Sequence, residues 1–295
     1  MALSKSTKMA ILRANKHVMA VYDRPQANDP ATYVVVHKKR GADKLTLPLI
    51  VNPGKVIVRE QNPLKTLILF RDFADEACYD EPIPGGIQIQ PAGAPWVGTL
   101  GAACGYRSQA GNQRWGILSC WHVLVDSRAA RGTNIHQPVD TYPPIAALDD
   151  WETVRADKIN HMDAAVADAM IDGFHTISPD LLAIGHINPI VYQPALNMEV
   201  SKFGRTTEYT QAVCSAIDAC VSVSYGSFTA DFCDQAIFET VEVPFSEPGD
   251  SGSLIVTTEG HHPTALLFAG NDEMTIGCPL PPIVSRFNLS FDFGE

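Results

Sequence analysis

Apolar residues near the start of the chain recur at a spacing that predicts one helix over residues 5–22. Met9, Leu12 and Met19 belong to its apolar stripe, and the prolines after residue 24 end it. Short strand-like runs follow at residues 33–37, 45–51, 55–59 and 66–70, with a turn at 52–54. The acidic, proline-bearing stretch 72–84 is typical of a linker, so we predict an α+β accessory domain over residues 1–85.

The pattern changes after residue 85. Short apolar runs then alternate with turns rich in Gly, Pro, Asn and Asp, and no long helical period occurs. The runs cover residues 86–90, 97–106, 115–118, 162–170, 200–203, 212–223, 236–243, 253–256 and 265–269. Many short strands at fairly regular intervals are typical of an all-β sandwich or barrel. We therefore predict a mainly β protein with a β-barrel domain over residues 86–295.

Composition and charge exclude several function classes. The 295 residues include 45% hydrophobic ones, which is enough for a core, and no apolar stretch is long enough to cross a bilayer. The formal net charge of −11 disfavours a nucleic-acid partner, because such affinity depends on Lys and Arg at phosphates. We expect neither nucleic-acid nor membrane binding.

The seven cysteines are scattered and form no CxxC pair. A zinc ribbon or a thioredoxin-type site therefore has no support, and we predict no metal and no cofactor. The basic N-terminal residues are interrupted by Lys and Asn and do not form a secretory signal. The expectation is a cytoplasmic protein with reduced thiols, in which neighbouring Cys104 and Cys120 would remain unpaired.

One candidate for chemistry is the segment Gly249-Asp250-Ser251-Gly252, which precedes an apolar run. A serine beside glycines has an uncovered hydroxyl, and the glycines let nearby backbone N–H groups point into one hole. The amides of Gly249 and Ser251 are suited to hold a developing negative oxygen. Alone, this motif is only moderately specific.

Two further elements give the motif more weight. His122 lies at the exit of a predicted strand, and Asp163 begins another. A buried acid needs partners, and the N–H of a histidine ring is a good one. Asp150 and Asp168 are rival acids, which we interpret as a loop residue and a strand-end residue.

The chain order His122, Asp163, Ser251 is the order of the chymotrypsin arrangement, and residues 86–290 resemble a trypsin-like serine peptidase of the chymotrypsin fold. Segments 98–102, 202–207 and 265–270 resemble barrel strands of that family. The set is most similar to the narrow-leaf-type trypsin-like proteins of plants and their bacterial relatives. The resemblance implies a double β-barrel.

The resemblance also implies roles for individual residues. Ser251 would be the nucleophile, His122 the general base and then the general acid, and Asp163 the group that orients His122. The amides of Gly249 and Ser251 would form the oxyanion hole. Alignment on Ser251 makes Phe245 the floor of the substrate pocket, with a wall formed by residues Ala269, Gly270 and Asn271. Because no acid lies at that floor, we expect a small or medium apolar side chain at the cleaved residue.

These inferences predict a serine endopeptidase that acts on protein or peptide substrates and is regulated by its N-terminal domain or by a protein partner. Two alternatives stay open: a protease-like binding module with an idle triad, and an esterase that uses the same acyl-enzyme chemistry. Trp121 beside His122 is the only sequence feature that favours the idle module.

Overall fold

A computed structural model describes residues 2–24, 33–38, 45–49, 51–52, 55–67, 69–70, 78–125, 130–169, 177–240 and 243–294. The helices are α1 (Lys5–Ala14), α2 (Trp121–Leu124) and α3 (Leu280–Phe287). The strands are β1 (Val18–Asp23), β2 (Tyr33–Lys38), β3 (Val56–Gln61), β4 (Lys65–Thr66), β5 (Leu69–Phe70), β6 (Ile83–Gly85), β7 (Gln88–Pro91), β8 (Trp96–Thr99), β9 (Ala102–Arg107), β10 (Gln113–Ser119), β11 (Asn134–His136), β12 (Pro144–Trp151), β13 (Ile159–Asn160), β14 (Ala165–Ala169), β15 (Ile177–Leu181), β16 (Gly185–His186), β17 (Glu199–Gly204), β18 (Glu208–Ser224), β19 (Thr229–Glu239), β20 (Leu254–Thr257), β21 (Pro263–Gly270) and β22 (Thr275–Pro279).

The strands form two large sheets. In the C-terminal half, β19, β22, β21, β20, β17 and β18 pair in that order, and a further pairing of β18 with β19 closes the ring. In the other half, strands β5, β8, β7, β11, β12, β14, β10 and β9 pair in that order. Buried apolar side chains fill both units, because alternate residues of a strand face the interior.

The N-terminal strands extend the C-terminal sheet. Strand β1 pairs antiparallel with β18, with Ala20 opposite Val221, and β2 and β3 continue outward from β1. Met19 and Tyr22 of β1 belong to the main apolar core. The accessory region therefore packs as part of the same sheet, while the domain boundary at residue 85 stays a prediction.

The first helix is shorter than the sequence pattern predicts. It ends at Ala14, and residues 18–23 form β1 instead of further helical turns. The Asn15 side chain donates to Ile11 O at 2.7 Å and to Thr46 O at 2.9 Å, which satisfies a carbonyl at the helix end. Strand pairing on both sides of β1 outweighs the local helical periodicity, so the prediction for residues 15–22 is wrong.

Other expectations are partly revised. The described residues within 45–51 form no strand, whereas the run predicted at 66–70 consists of the two short strands β4 and β5. The turn at 52–54 and the linker at 72–84 lie partly outside the described residues. None of the helices in the described part of the chain is long and apolar enough to span a bilayer.

The expectation that all thiols are reduced is wrong for one pair, because Cys220 and Cys233 form a disulfide between β18 and β19. Cys104 and Cys120 are unpaired, as expected. Several other titratable groups are buried and neutral. Burial raises the pKa of Cys104, Cys214 and Tyr22 to about 12 and the pKa values of Cys120, Cys278, Tyr106 and Tyr225 well above their usual ranges.

Candidate active site

His122 and Asp163 meet in the cleft between the two barrels. The short helix α2 carries His122 directly after β10, and Asp163 precedes β14, which pairs with β10. His122 Nδ1 lies 2.6 Å from Asp163 Oδ2, and the His122 backbone N–H donates to Asp163 Oδ1 at 3.2 Å. Both side chains are buried. This contact fixes the ring orientation and leaves Nε2 as the reactive nitrogen.

A tyrosine completes the surroundings of the acid. The Tyr225 hydroxyl donates to Asp163 Oδ2 at 2.5 Å. Burial, together with the Asp163 charge, raises the Tyr225 pKa, which keeps this phenol a proton donor. The Tyr225 ring lies edge-on to the His122 ring at 5.7 Å and tilted against the Trp121 ring at 6.0 Å. Nothing in the pattern around Tyr225 singled it out, since its contact with Asp163 spans 62 residues.

Ser251 lies in the loop before β20 and is fully buried. Its hydroxyl donates to Phe268 O at 3.2 Å and accepts from Leu67 N–H at 3.0 Å. His122 Nε2 has no hydrogen-bond partner among the described residues. The Ser251 carbonyl and the side chain of Val123, the neighbour of His122, both line the space beside Gly98, so the elements that carry serine and histidine pack together there.

The predicted oxyanion hole is occupied. Gly249 N–H and Ser251 N–H both point at Leu67 O, at 2.5 Å and 3.3 Å. Gly249 has a φ of +111°, a conformation that glycine adopts without strain and that lets its N–H face this oxygen. Two amides that converge on one carbonyl oxygen are suited to stabilise negative charge at that position.

A buried ion pair holds the same loop from behind. Asp250 Oδ2 lies 3.4 Å from Lys202 Nζ, and both side chains are fully buried. The Asp250 carboxylate also accepts from Thr206 N–H at 2.8 Å, Thr207 Oγ1 at 2.7 Å and Glu247 N–H at 2.9 Å. Burial lowers the Lys202 pKa more than Asp250 raises it. Sequence reasoning missed Lys202, although a lysine within an apolar strand is a signal of a buried partner.

The predicted pocket residues also lie around Leu67. Phe245 and Leu67 belong to one buried apolar cluster. Ala269 and Gly270 of β21 pair with Thr66 and Lys65 of β4. Asn271 Nδ2 donates to the backbone carbonyl of Asn62 at 2.7 Å. The residues predicted as substrate-binding therefore contact a segment of the chain itself.

The rival acids have other partners. Asp150 forms hydrogen bonds with Arg286 at 2.9 Å and Gln109 at 2.7 Å, which lower its pKa although burial opposes them. Asp168 pairs with Arg114 at 2.7 Å. The metal-binding donor types Cys120, His122 and Asp163 lie close together. However, burial and the Asp163 charge raise the Cys120 pKa, so its thiol stays protonated and is a poor metal ligand.

The fold was compared with known proteins. No protein-family model matches the sequence, and no curated protein matches it. A solved structure of an alpha-lytic protease homologue superposes with a TM-score of 0.50 at 16% identity, covering 71% of this chain and 98% of that chain. Protease A of Thermobifida fusca gives a TM-score of 0.49 at 16% identity, covering 70% of this chain and 97% of that chain. The chymotrypsin of Cellulomonas bogoriensis gives 0.48 at 16% identity, with coverages of 70% and 97%.

These likenesses concern the fold. The prediction of a mainly β protein with the double β-barrel of chymotrypsin-like proteases is confirmed, and the superposed share of this chain leaves room for the additional N-terminal strands. The chain therefore has the fold of the chymotrypsin-like serine peptidases that its motifs resemble.

Proposed function

We propose that the protein is a serine endopeptidase in which His122, Asp163 and Ser251 act together. The observation that carries the proposal is the pair of amides, Gly249 N–H and Ser251 N–H, directed at a single carbonyl oxygen beside Ser251 Oγ. A peptide carbonyl bound in this way has its carbon next to the nucleophile and its oxygen in the hole. That is the geometry required for acyl transfer.

The reaction follows from the contacts. The Ser251 hydroxyl turns from Phe268 O to His122 Nε2, which accepts its proton while Oγ attacks the carbonyl carbon. Asp163 holds the tautomer of His122 and stabilises the imidazolium that forms. The imidazolium then delivers the proton to the leaving amine, and water releases the acyl group by the reverse sequence. Each step uses side chains of this chain.

The proposed substrates are proteins or peptides with a medium-sized apolar side chain at the cleaved residue. Support comes from the buried apolar cluster of Phe245, in which a leucine already lies. An arginine at this position would bury its charge without an acidic partner at the floor, at a cost of several kcal/mol.

The proposal is tested by labelling the folded protein with a fluorophosphonate and locating the adduct by mass spectrometry. We expect an adduct on Ser251 that is lost in Ser251→Ala and in His122→Ala. Ser285→Ala is the matched control, since its hydroxyl only contacts Pro281 O on helix α3. Hydrolysis of a peptide with leucine, and not arginine, at the cleaved position should follow the same variants. An unlabelled serine, with no hydrolysis even when the cleft is open, would instead indicate an idle binding module.

A further inference from the structure

The cleft is occupied by residues 64–67 of the chain itself. Strand β4 runs antiparallel to β21, with Thr66 opposite Ala269 and Lys65 opposite Gly270. Leu64 O accepts from Ser224 N–H at 3.1 Å at the end of β18. The segment therefore lies between two strands of the C-terminal barrel as an added strand. Extended peptides bind in this way when main-chain hydrogen bonds supply affinity and a side-chain pocket supplies specificity.

Leu67 lies at the position of an acyl group about to be transferred. Its carbonyl oxygen accepts from both predicted oxyanion-hole amides, and its N–H donates to Ser251 Oγ at 3.0 Å. Its side chain is 2% exposed, and Leu67 Cδ1 lies 3.3 Å from where a Cβ on Gly270 would be. A larger residue in place of Gly270 would therefore press on the leucine.

The chain crosses the cleft at this point. Residues 65–66 pair with the C-terminal barrel, whereas β5, at residues 69–70, pairs with β8 of the other barrel, with Leu69 opposite Val97. Leu67 thus precedes the crossing from one barrel to the other. A bound substrate must also place its two sides on either side of the nucleophile, so the segment has the course of a substrate.

We infer that the peptide bond between Leu67 and Ile68 is a self-cleavage site, an inference that rests on the proposed endopeptidase function. Ser251 Oγ bonds to the Leu67 carbonyl carbon as its proton passes to His122, and the negative oxygen is held by the two amides. The C–N bond then breaks, and His122 protonates the Ile68 amine. Water restores the Ser251 hydroxyl and leaves Leu67 as a carboxylate, so the reaction consumes one water and needs no other reactant.

The cleaved pieces stay together. Residues 1–67 contribute β1–β4 to the C-terminal sheet, and β1 alone pairs with both β2 and β18. The product carboxylate remains beside Ser251, and the bound segment continues to compete with other substrates. Self-cleavage is therefore expected to leave a two-piece protein of low activity whose N-terminal piece is its own inhibitor.

The test starts with the full chain and its Ser251→Ala variant, analysed by denaturing gel and intact mass. For the wild type we expect pieces 1–67 and 68–295 that elute together from a sizing column under native conditions. Ser251→Ala should remain intact, also when mixed with wild-type protein, because the bond is cut within one molecule. Leu67→Asp should remain uncut, since the apolar pocket rejects a carboxylate, whereas Leu49→Asp, at a fully exposed leucine, should be cut normally.

The Leu67→Asp variant also distinguishes the two proposals. It should react with the fluorophosphonate at least about tenfold faster than wild type, because the cleft is no longer filled by its own segment. Circular dichroism checks its fold, and Leu67→Ala takes its place in the labelling measurement if the aspartate prevents folding. An intact wild-type chain beside a rapidly labelled Leu67 variant would overturn self-cleavage and leave the endopeptidase standing. Cleavage at another bond, or cleavage that survives Ser251→Ala, would also overturn it. Absence of both cleavage and labelling would overturn both proposals.

Discussion

Replacing Lys202 by methionine tests the buried ion pair behind the candidate site. The substitution removes the ammonium 3.4 Å from Asp250 Oδ2 and leaves a fully buried carboxylate without its cation. Breaking a buried pair in this way generally costs about 3–5 kcal/mol. Asp250 keeps its bonds to Thr206, Thr207 and Glu247, and the contact with Lys202 is long, so we expect a value near 3 kcal/mol.

For a protein of this size, such a loss corresponds to a decrease in Tm of about 6–12 °C. The fluorophosphonate reaction should slow by about 10²-fold, because Asp250 anchors the loop that carries the oxyanion-hole amides. Thermal unfolding by circular dichroism gives the first quantity and labelling kinetics the second. Lys158→Met is the control, since its side chain is largely exposed and its ion pair weak.

A double variant, Lys202→Met with Asp250→Asn, separates charge burial from lost packing. It should recover part of the stability, because no unpaired charge remains in the interior, but the labelling rate should stay low. Equal Tm and equal labelling for Lys202→Met and the wild type would refute the reasoning that this pair supports the loop.

Further predictions concern groups around the site and the fold. Tyr225→Phe removes the hydroxyl donated to Asp163 and should lower turnover about tenfold, while Tyr209→Phe, at an exposed ring, should not; steady-state kinetics decides. Gly252→Ala should abolish folding or cost more than about 3 kcal/mol, because its Cβ would lie 2.2 Å from both Ser119 Oγ and Thr99 O, whereas Gly111→Ala has open space; urea unfolding compares them. Reduction of the β18–β19 disulfide should cost about 3 kcal/mol, measured as a lower urea midpoint with reductant, and an unchanged midpoint would contradict it.

The pH dependence of stability follows from the buried thiols and phenols. Their pKa values are higher in the folded state, so the unfolded chain loses protons first as the pH rises. Their contribution is complete below about pH 9 and declines toward about pH 12, by about 1.4 kcal/mol per group and pH unit. Lys202 acts in the opposite direction, since its pKa is lowered, but it is a single group. Urea unfolding at pH 8, 9 and 10 should show falling stability; constant stability would contradict the argument.

Local pattern was sufficient for part of this protein. The alternation of short apolar runs and turns after residue 85 predicted a β-barrel fold because strand formation follows side-chain period and turn residues. The order of His122, Asp163 and Ser251 was likewise legible in the chain, and the first two are in hydrogen-bond contact. The catalytic roles themselves stay a proposal.

Only the tertiary structure decided the rest, because the decisive contacts join distant parts of the chain. Residues 18–22 continue a helical stripe in sequence but form a strand, since β18 and β2 offer partners on both sides. Tyr225 reaches Asp163 across 62 residues, and Leu67 N–H reaches Ser251 across 184. The Leu67 contacts in the cleft use main-chain atoms, which every residue possesses, so no sequence pattern marks them. Folding alone brings that carbonyl to the two amides.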